Sequence, residues 1–336
     1  MKAAIYRRYG PPEVVGVEEV AKPIPKQHEI LIKVHASTVS SGDFRARSLS
    51  MPPGFGPIAP LVFGVRGPRQ PILGTELSGE IEAIGADVSR FKVGDAVFAF
   101  PSFAMGGHAE YRVLPQDGPV ALMPRNLSFP EAAALSFGGV TALRFLRDRA
   151  KVRSGEKVLV IGASGAVGSA AVQLAKHFGA EVTGVCSAAN ADLVRSIGAD
   201  HVIDYAHEDF TTSADGYDII CDTIGVTSFA ACKGVLKPGG RLLLVSSGLR
   251  QVLAAGAKSH GRTVMAGSGG DTFEHLFFLK QLAENGAIKP VIDRCFSLEK
   301  IVEAHRRVDT GRKTGSVVVL VSSDAQRSSA QTAGRV

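Results

Sequence analysis

The stretch KVLVIGASGAVGSAAVQLAKHFGAEVTGVC, Lys157 to Cys186, constrains the fold more than any other part of the chain. An apolar run, Val158–Ile161, ends in a glycine-rich loop. AVGSAAVQLAKHFG then shows helical spacing, and EVTGVC forms a second apolar run. Strand, tight loop, helix and strand in so short a span predict a βαβ unit with parallel strands and a right-handed crossover. Gly165 and Gly168 stand where the G-x-G-x-x-G pattern has its second and third glycines, and Ala163 where it has its first. Gly165 lets the backbone approach a pyrophosphate, and Gly168 lets the helix pack closely on the strand. The helix N-terminus turns free N–H groups and a positive dipole end toward phosphates. With a strand before it and a helix after it, the pattern predicts a dinucleotide site made of Gly162, Ser164, Gly165, Ala166, Val167 and Gly168. A glycine-rich turn in an ordinary α/β unit is the plainer alternative.

The same alternation continues. Further strands are expected in HVIDY, DIICDTI and RLLLVSS, and helices in ADLVRSIG and TSFAACKGVLKPG. These strands lack a period of two, as strands covered on both faces do. RTVMAGSG, Arg262–Gly269, reads as a sixth strand, FEHLFFLKQLAENG and SLEKIVEAHRRVDTG as helices, and GSVVVLV as a last strand. The first third differs: EILIKVHAST, GTELSGEIEAIG and GDAVFAF predict strands in a part rich in Pro and Gly. SFPEAAALSFGGVTALRFLRDRA carries a capping pattern in Ser128, Pro130 and Glu131 and predicts a helix broken or bent at Gly138 and Gly139.

Composition excludes several classes. Apolar residues make up 45% and charged residues 21% of 336, ordinary for a globular protein of about two domains. The net charge of +6 comes from scattered Lys and Arg without interleaved aromatics, so no nucleic-acid partner is expected. No apolar run reaches the length of a membrane span, and MKAAIYRRYG lacks the apolar core of a signal peptide. Cys186, Cys221, Cys232 and Cys295 form no C-x-x-C pair and read as reduced residues. A cytoplasmic enzyme is the expectation.

The end of EVTGVC decides which dinucleotide is expected. A carboxylate for the ribose 2′-hydroxyl of NAD usually stands there, but this chain has Cys186 and Ser187. A carboxylate would repel a 2′-phosphate, so its absence favours NADPH. Ser187, Asn190 and Tyr205 are candidates for that end of the cofactor, and Ser246 and Ser247 for another part of it. Arg195 either points inward to the phosphate or lies on a solvated helix face.

The succession SFPEAAAL, GVTAL, GASGAVGSAAVQLAKHFGAEV, IGADHVIDY, YDIICDTIG and LKPGGRLLLV resembles the medium-chain dehydrogenase/reductase superfamily. It is closest in pattern to the zinc-independent, zeta-crystallin-like quinone oxidoreductase branch. The resemblance runs from Met1 to about Val321. It implies an α/β protein with a GroES-like, β-rich catalytic domain over 1–125, completed by 288–322. A Rossmann doubly wound parallel sheet is inserted over 126–287, with the active-site cleft between the two, and a disordered tail follows at 323–336.

The resemblance also implies roles for residues. Zinc members place a Cys and a His where this chain has Ser40 and Thr75, so no metal is expected. The branch usually has Asn-Pro where this chain has Ser40-Ser41, while Asp43 and Arg47 are kept. Hydride would come from NADPH, and donors aimed at the substrate oxygen would stabilise its developing charge. Ser40, Ser41 and Thr141 are the candidate donors, Thr141 also contacting the cofactor. Asp43 fixes the loop or, as the lesser reading, acts as acid or base, and Glu76 is structural. Phe55, Leu61 and Phe63 form either an apolar pocket wall, with Arg66 or Arg69 at a polar substrate end, or part of a packed surface loop. The expected substrates are quinones or α,β-unsaturated carbonyls. A zinc-free alcohol dehydrogenase or ketone reductase, and a low-turnover NADPH-binding protein, are the alternatives. The Thr263–Ala266 strand, taken as an exposed apolar edge, predicts a homodimer by pairing with its copy.

Overall fold

The structure, a computed structural model, describes residues 1–256, 258–259, 261–267 and 273–322. The expected tail at 323–336 lies outside the described residues. Strands in chain order are β1 (Lys2–Tyr6), β2 (Val15–Glu19), β3 (Glu29–Val39), β4 (Leu77–Ile84), β5 (Ala96–Ala99), β6 (Tyr111–Pro115), β7 (Val120–Leu122) and β8 (Lys157–Ile161). They continue with β9 (Glu181–Cys186), β10 (His201–Asp204), β11 (Tyr217–Asp222), β12 (Leu236–Leu244), β13 (Lys258–Ser259), β14 (Arg262–Ala266), β15 (Ile292–Ser297) and β16 (Ser316–Leu320). The helices are α1 (Ser41–Ser48), α2 (Ala59–Phe63), α3 (Phe129–Leu143), α4 (Ala166–His177), α5 (Ala191–Ser196), α6 (Phe229–Cys232), α7 (Leu249–Leu253), α8 (Phe273–Glu284) and α9 (Ile301–Asp309).

Two compact units divide the chain. The first takes residues 1–51, 56–137 and the described residues after 270. Its main sheet runs β15-β16-β3-β4-β5-β7, with β6 also pairing β3. Both ends of the chain build it, because β16 pairs antiparallel with β3. Ile30, Ile32 and Val34 of β3, Leu77 and Ile81 of β4, and Ile301, Ala304 and Val308 of α9 share its core. Segments 126–137 and 273–287 fall with this unit. Ala133 and Ala134 pack on Ala36, Val318 and Leu320, and Asn126 Nδ2 donates to the Ala283 carbonyl at 2.8 Å.

The second unit takes 52–55 and the described residues of 138–270. Its sheet order is β10-β9-β8-β11-β12-β14-β13. All neighbours are parallel except β13 and β14. The order reverses between β8 and β11, the switch point at which open α/β sheets bind ligands beyond the carboxyl ends of their strands.

Three local expectations change. The helix at Ser128 starts as its caps require, with Ser128 N–H and Oγ donating to Glu131 at 2.9 and 2.7 Å. It is not broken at its glycines and runs on through Leu143. A β-carbon on Gly138 would lie 2.3 Å from the Ala166 carbonyl, so this glycine serves close helix approach instead of a bend. The helix expected over TSFAACKGVLKPG shrinks to Phe229–Cys232, because β12 already starts at Leu236 and pairs Tyr217. The edge of β14 is not open: Lys258–Ser259 pairs with Arg262–Thr263, and Gly256 N–H donates to the Val264 carbonyl at 2.8 Å. The chain itself covers the edge on which the dimer expectation rested; residues 268 and 269 of that stretch lie outside the described residues.

Candidate functional site

In the second unit the glycine-rich loop has the predicted build. Gly162 follows β8 at φ +78°, and an added β-carbon there would meet Thr223 and Ile224 at 2.8 Å. A β-carbon on Gly168 would lie 2.0 Å from the Gly162 carbonyl, so only glycine lets α4 seat on the loop. Gly165 is different. It is the N-cap of α4, no side chain caps the helix, and its β-carbon would meet only the Gly162 carbonyl at 3.5 Å. The first-turn N–H groups of Ala166, Val167 and Gly168 have no intrahelical acceptor. This is the cradle a pyrophosphate requires, and a nicotinamide dinucleotide fits it.

Asn190 ties two of the other candidates together beside the loop. Asn190 Nδ2 donates to Ser164 Oγ and to Ser187 Oγ, each at 3.2 Å. Tyr205 follows β10 with its N–H on the Cys186 carbonyl at 3.2 Å and its ring exposed. Thr141 is half-buried on α3, Ser246 is half-buried and Ser247 buried beyond β12. Arg195 lies at the exposed surface with a guanidinium nitrogen 3.0 Å from Asp192.

Two features of this half were missed. Reading along β9 alone finds no carboxylate, but β10 pairs Asp204 beside Cys186. That carboxylate is turned to its own loop: its oxygens meet His207 Nδ1 at 2.7 Å and Ala206 N–H at 3.2 Å, and these bonds hold it below its usual range. Asp222, fully buried at the end of β11, accepts N–H groups of Ile224, Gly225 and Thr227 at 2.7–3.0 Å. It shapes the turn facing Gly162. The signal was an Asp closing an apolar strand before Thr and Gly in CDTIG.

In the first unit, Ser40, Asp43 and Thr75 form one buried group. Ser40 is the N-cap of α1. Its hydroxyl accepts from Gly42 and Asp43 N–H at 3.1 and 3.3 Å and donates to Asp43 Oδ2 at 2.6 Å. Thr75 Oγ1 lies 3.0 Å away. Ser40 has one proton, and Asp43 takes it, so Thr75 is the donor between the two hydroxyls. Asp43 also accepts Ser40 N–H at 2.8 Å and Gly74 N–H at 2.7 Å. Ser41, the next residue, is half-buried at the first position of α1. Arg47 is fully buried on an ion pair with Asp309 at 2.6 Å.

A second buried group lies beside it. Glu76 accepts the Thr38 hydroxyl and the Phe137 N–H. Burial outweighs both and pushes its carboxyl up to about 8. Burial likewise brings the Lys313 ammonium down to about 8 against the pull of Glu76. Lys313 lies far along the chain and gave no sequence signal. His108 is fully buried with Nε2 2.9 Å from the Thr38 carbonyl.

The long loop splits: Phe55 falls with the second unit, while Phe63 packs on the first unit's core with Leu61 exposed beside it. Arg69 reaches the Val62 carbonyl at 3.4 Å. Cys186, Cys221 and Cys232 are buried and Cys295 exposed, all as free thiols. Among the described residues no group of three or more His, Cys, Asp or Glu is placed to hold a metal ion, and no helix is long and apolar enough to cross a membrane.

Comparison with known proteins agrees with this architecture. Residues 26–125 match the alcohol dehydrogenase GroES-like domain and residues 197–319 the zinc-binding dehydrogenase family; the latter range holds neither Ser40 nor Thr75. The 2-methylene-furan-3-one reductase of Solanum lycopersicum is 34% identical over 331 residues, covering 95% of this chain and 79% of that protein. The quinone oxidoreductase of Homo sapiens is 32% identical over 340 residues, covering 96% and 98%. The solved structure of the quinone oxidoreductase from Coxiella burnetii superposes with a TM-score of 0.85 at 29% identity, covering 96% of this chain and 99% of that one. With a GroES-like sheet built from both chain ends, a doubly wound parallel sheet carrying the phosphate loop, and relatives of this identity along almost its whole length, the chain belongs to the medium-chain dehydrogenase/reductase superfamily of nicotinamide-dependent oxidoreductases, in its quinone oxidoreductase branch.

Proposed function

We propose that this chain is an NADPH-dependent oxidoreductase that delivers hydride to quinones or α,β-unsaturated carbonyl compounds without zinc. The observation that carries the reading is the uncapped N-terminus of α4 beneath Gly165, a cradle shaped for a pyrophosphate. The relatives named for quinones and an enone supply the substrate class. Bound there, NADPH supplies the hydride.

The chain's own residues bind and orient. Gly162, Ser164, Gly165, Ala166, Val167 and Gly168 hold the phosphates, with Thr141, Ser246 and Ser247 toward the nicotinamide end. Ser187, Asn190 and Tyr205 take the 2′-phosphate, and Asp204, engaged by His207 and Ala206, leaves it room. Asp43 and Ser40 fix the start of α1. That leaves the Ser41 hydroxyl as the donor for the substrate oxygen in this half. A zinc ion has no place in this reading, since Ser40 and Thr75 offer hydroxyls already spent on Asp43 and each other. The working compartment is the cytoplasm, where free thiols stay reduced. Assembly is as a homodimer, through a surface other than the edge of β14, which β13 covers.

The test is NADPH oxidation against a panel of quinones, enones and simple ketones, with and without EDTA. Turnover of quinones and enones that EDTA leaves unchanged is expected. Turnover of ketones alone would replace the reading with an alcohol dehydrogenase. NADPH binding without turnover of any of them would make the chain a binding protein. In fluorescence titrations NADPH should bind more tightly than NADH, and Ser187→Asp should weaken NADPH at least about tenfold, roughly 1.4 kcal/mol. Tighter NADH binding by wild type overturns the cofactor assignment.

A further inference from the structure

The turn from Pro101 to Gly106 in the first unit is held against the preferences of its own backbone. Ser102 lies at φ +52° and Met105 at φ +48°, neither being glycine. Met105 has ψ −154°, a combination that glycine ordinarily occupies and that persists elsewhere only where the surroundings impose it. Here they do. Ser102 N–H donates to the Thr75 carbonyl and Gly106 N–H to the Ile72 carbonyl, each at 3.1 Å. Gln70 and Arg112 both donate to the Ala104 carbonyl, at 3.1 and 3.2 Å. The Met105 side chain is sunk in the core at 2% exposure.

What this construction presents is Phe103, 66% exposed. Burial of Met105 accounts for its own strain, but not for Phe103, whose ring is left in water. Its neighbour is Phe63, with ring centroids 6.3 Å apart and planes tilted by 55°. Leu61, Val62 and Val65 of the same stretch are exposed as well. The turn is also chained to the candidate site. Ser102 hangs on the carbonyl of Thr75, whose hydroxyl bonds Ser40. Strain of this kind gathers where a ligand is clamped, and aromatic rings seat other flat conjugated rings at such centroid distances.

We infer that Phe103, with Phe63 beside it, is the platform on which a conjugated ring of the substrate rests. It makes the chain selective for ring-bearing enones and substituted quinones over small aliphatic enones. The inference rests on the function proposed above and deepens it.

The chain contains no Trp, so Phe103→Trp introduces a single indole at the platform. Its emission is followed while a naphthoquinone is added with NADP⁺ present, so that nothing turns over. Ile24→Trp, at a position 87% exposed, serves as the collisional control. Saturable quenching at position 103 against linear quenching at position 24 is expected; linear quenching at both overturns the platform. With NADPH, Phe103→Ala should raise KM for a phenyl-bearing enone about tenfold and leave kcat and KM for methyl vinyl ketone within about twofold. Phe103→Tyr should restore the wild-type ratio. Equal changes for both enones would also overturn it. Should Phe103→Ala fail to fold, the Trp titration decides alone. Saturable quenching in a protein that reduces no enone or quinone would remove the proposed reaction and leave the ring platform standing.

Discussion

In the phosphate loop, Gly162 to Gly168, the contact that seats the helix, Gly168 on the Gly162 carbonyl, lies within a few residues. Around Asp43 the carboxylate joins Ser40, three residues away, to Gly74, thirty-one residues away. The first is half-buried and the second fully buried, and both are made of backbone N–H groups seeking acceptors. One solves the problem with absent side chains and leaves its donors free for a ligand. The other fills its donors with the Asp43 carboxylate and the Ser40 hydroxyl, with the half-buried Ser41 beside them. Local construction yields an open cradle, and long-range construction yields a fixed post beside which a substrate group can be held.

Substitutions can break that contrast. Asp43→Ala should do most damage, because the N–H groups of Ser40 and Gly74 would both lose a buried acceptor. The expected cost is about 4 kcal/mol in urea unfolding, each orphaned donor contributing roughly 1–3 kcal/mol. A cost below about 1 kcal/mol would mean that water reaches the group. Gly168→Ala comes next, at about 3 kcal/mol by the same measurement, since the new methyl meets backbone that cannot move aside. Gly165→Ala sharpens the comparison: stability should fall by only a few tenths of a kcal/mol, while NADPH affinity drops about tenfold as the methyl occupies the space of the phosphates. Equal stability losses for the two alanines would show that Gly165 is there for packing.

The last effect expected is a slope. The folded-state carboxyl of Glu76 is raised from 4.5 to about 8. Its burial therefore costs nothing below pH 4.5, and stability is lost as pH rises from there through about 8. Glu76→Gln should flatten that part of the stability curve, as read by thermal melts at several pH values. Lys313, lowered from 10.5 to about 8, acts in the next window and with the opposite sign, adding stability between about 8 and 10.5. A wild-type curve level from pH 5 to 8 would show that Glu76 ionises freely.

The sequence is legible where neighbours in the chain are neighbours in space. The strand before Gly162, the helix after it, the capping group at Ser128 and Glu131, and the parallel sheet all follow from spacing alone. The grouping of Ser164, Ser187 and Asn190 was within reach too, because all three flank one βαβ unit. Legibility fails where a sheet brings strangers together. Asp204 meets Cys186 only because β10 lies beside β9, so reading down β9 showed a gap that the next strand fills. Glu76 and Lys313 influence each other across more than two hundred residues, and nothing in either local sequence announces it. Gly138 misled because glycine within a helix reads as weakness, whereas here it marks the closest approach of a second helix.

Covering β14 with Lys258–Ser259 changes how sheet growth is controlled. A bare five-residue parallel edge propagates: any extended chain that meets it can lengthen the sheet by a strand. The chain's own return after Gly256 acts as a terminator, set a few residues ahead of the strand in need of it and delivered as soon as that strand forms. The antiparallel addition is two residues long, too short to template much beyond itself. Strand addition at this edge is stopped by two residues of the chain's own backbone.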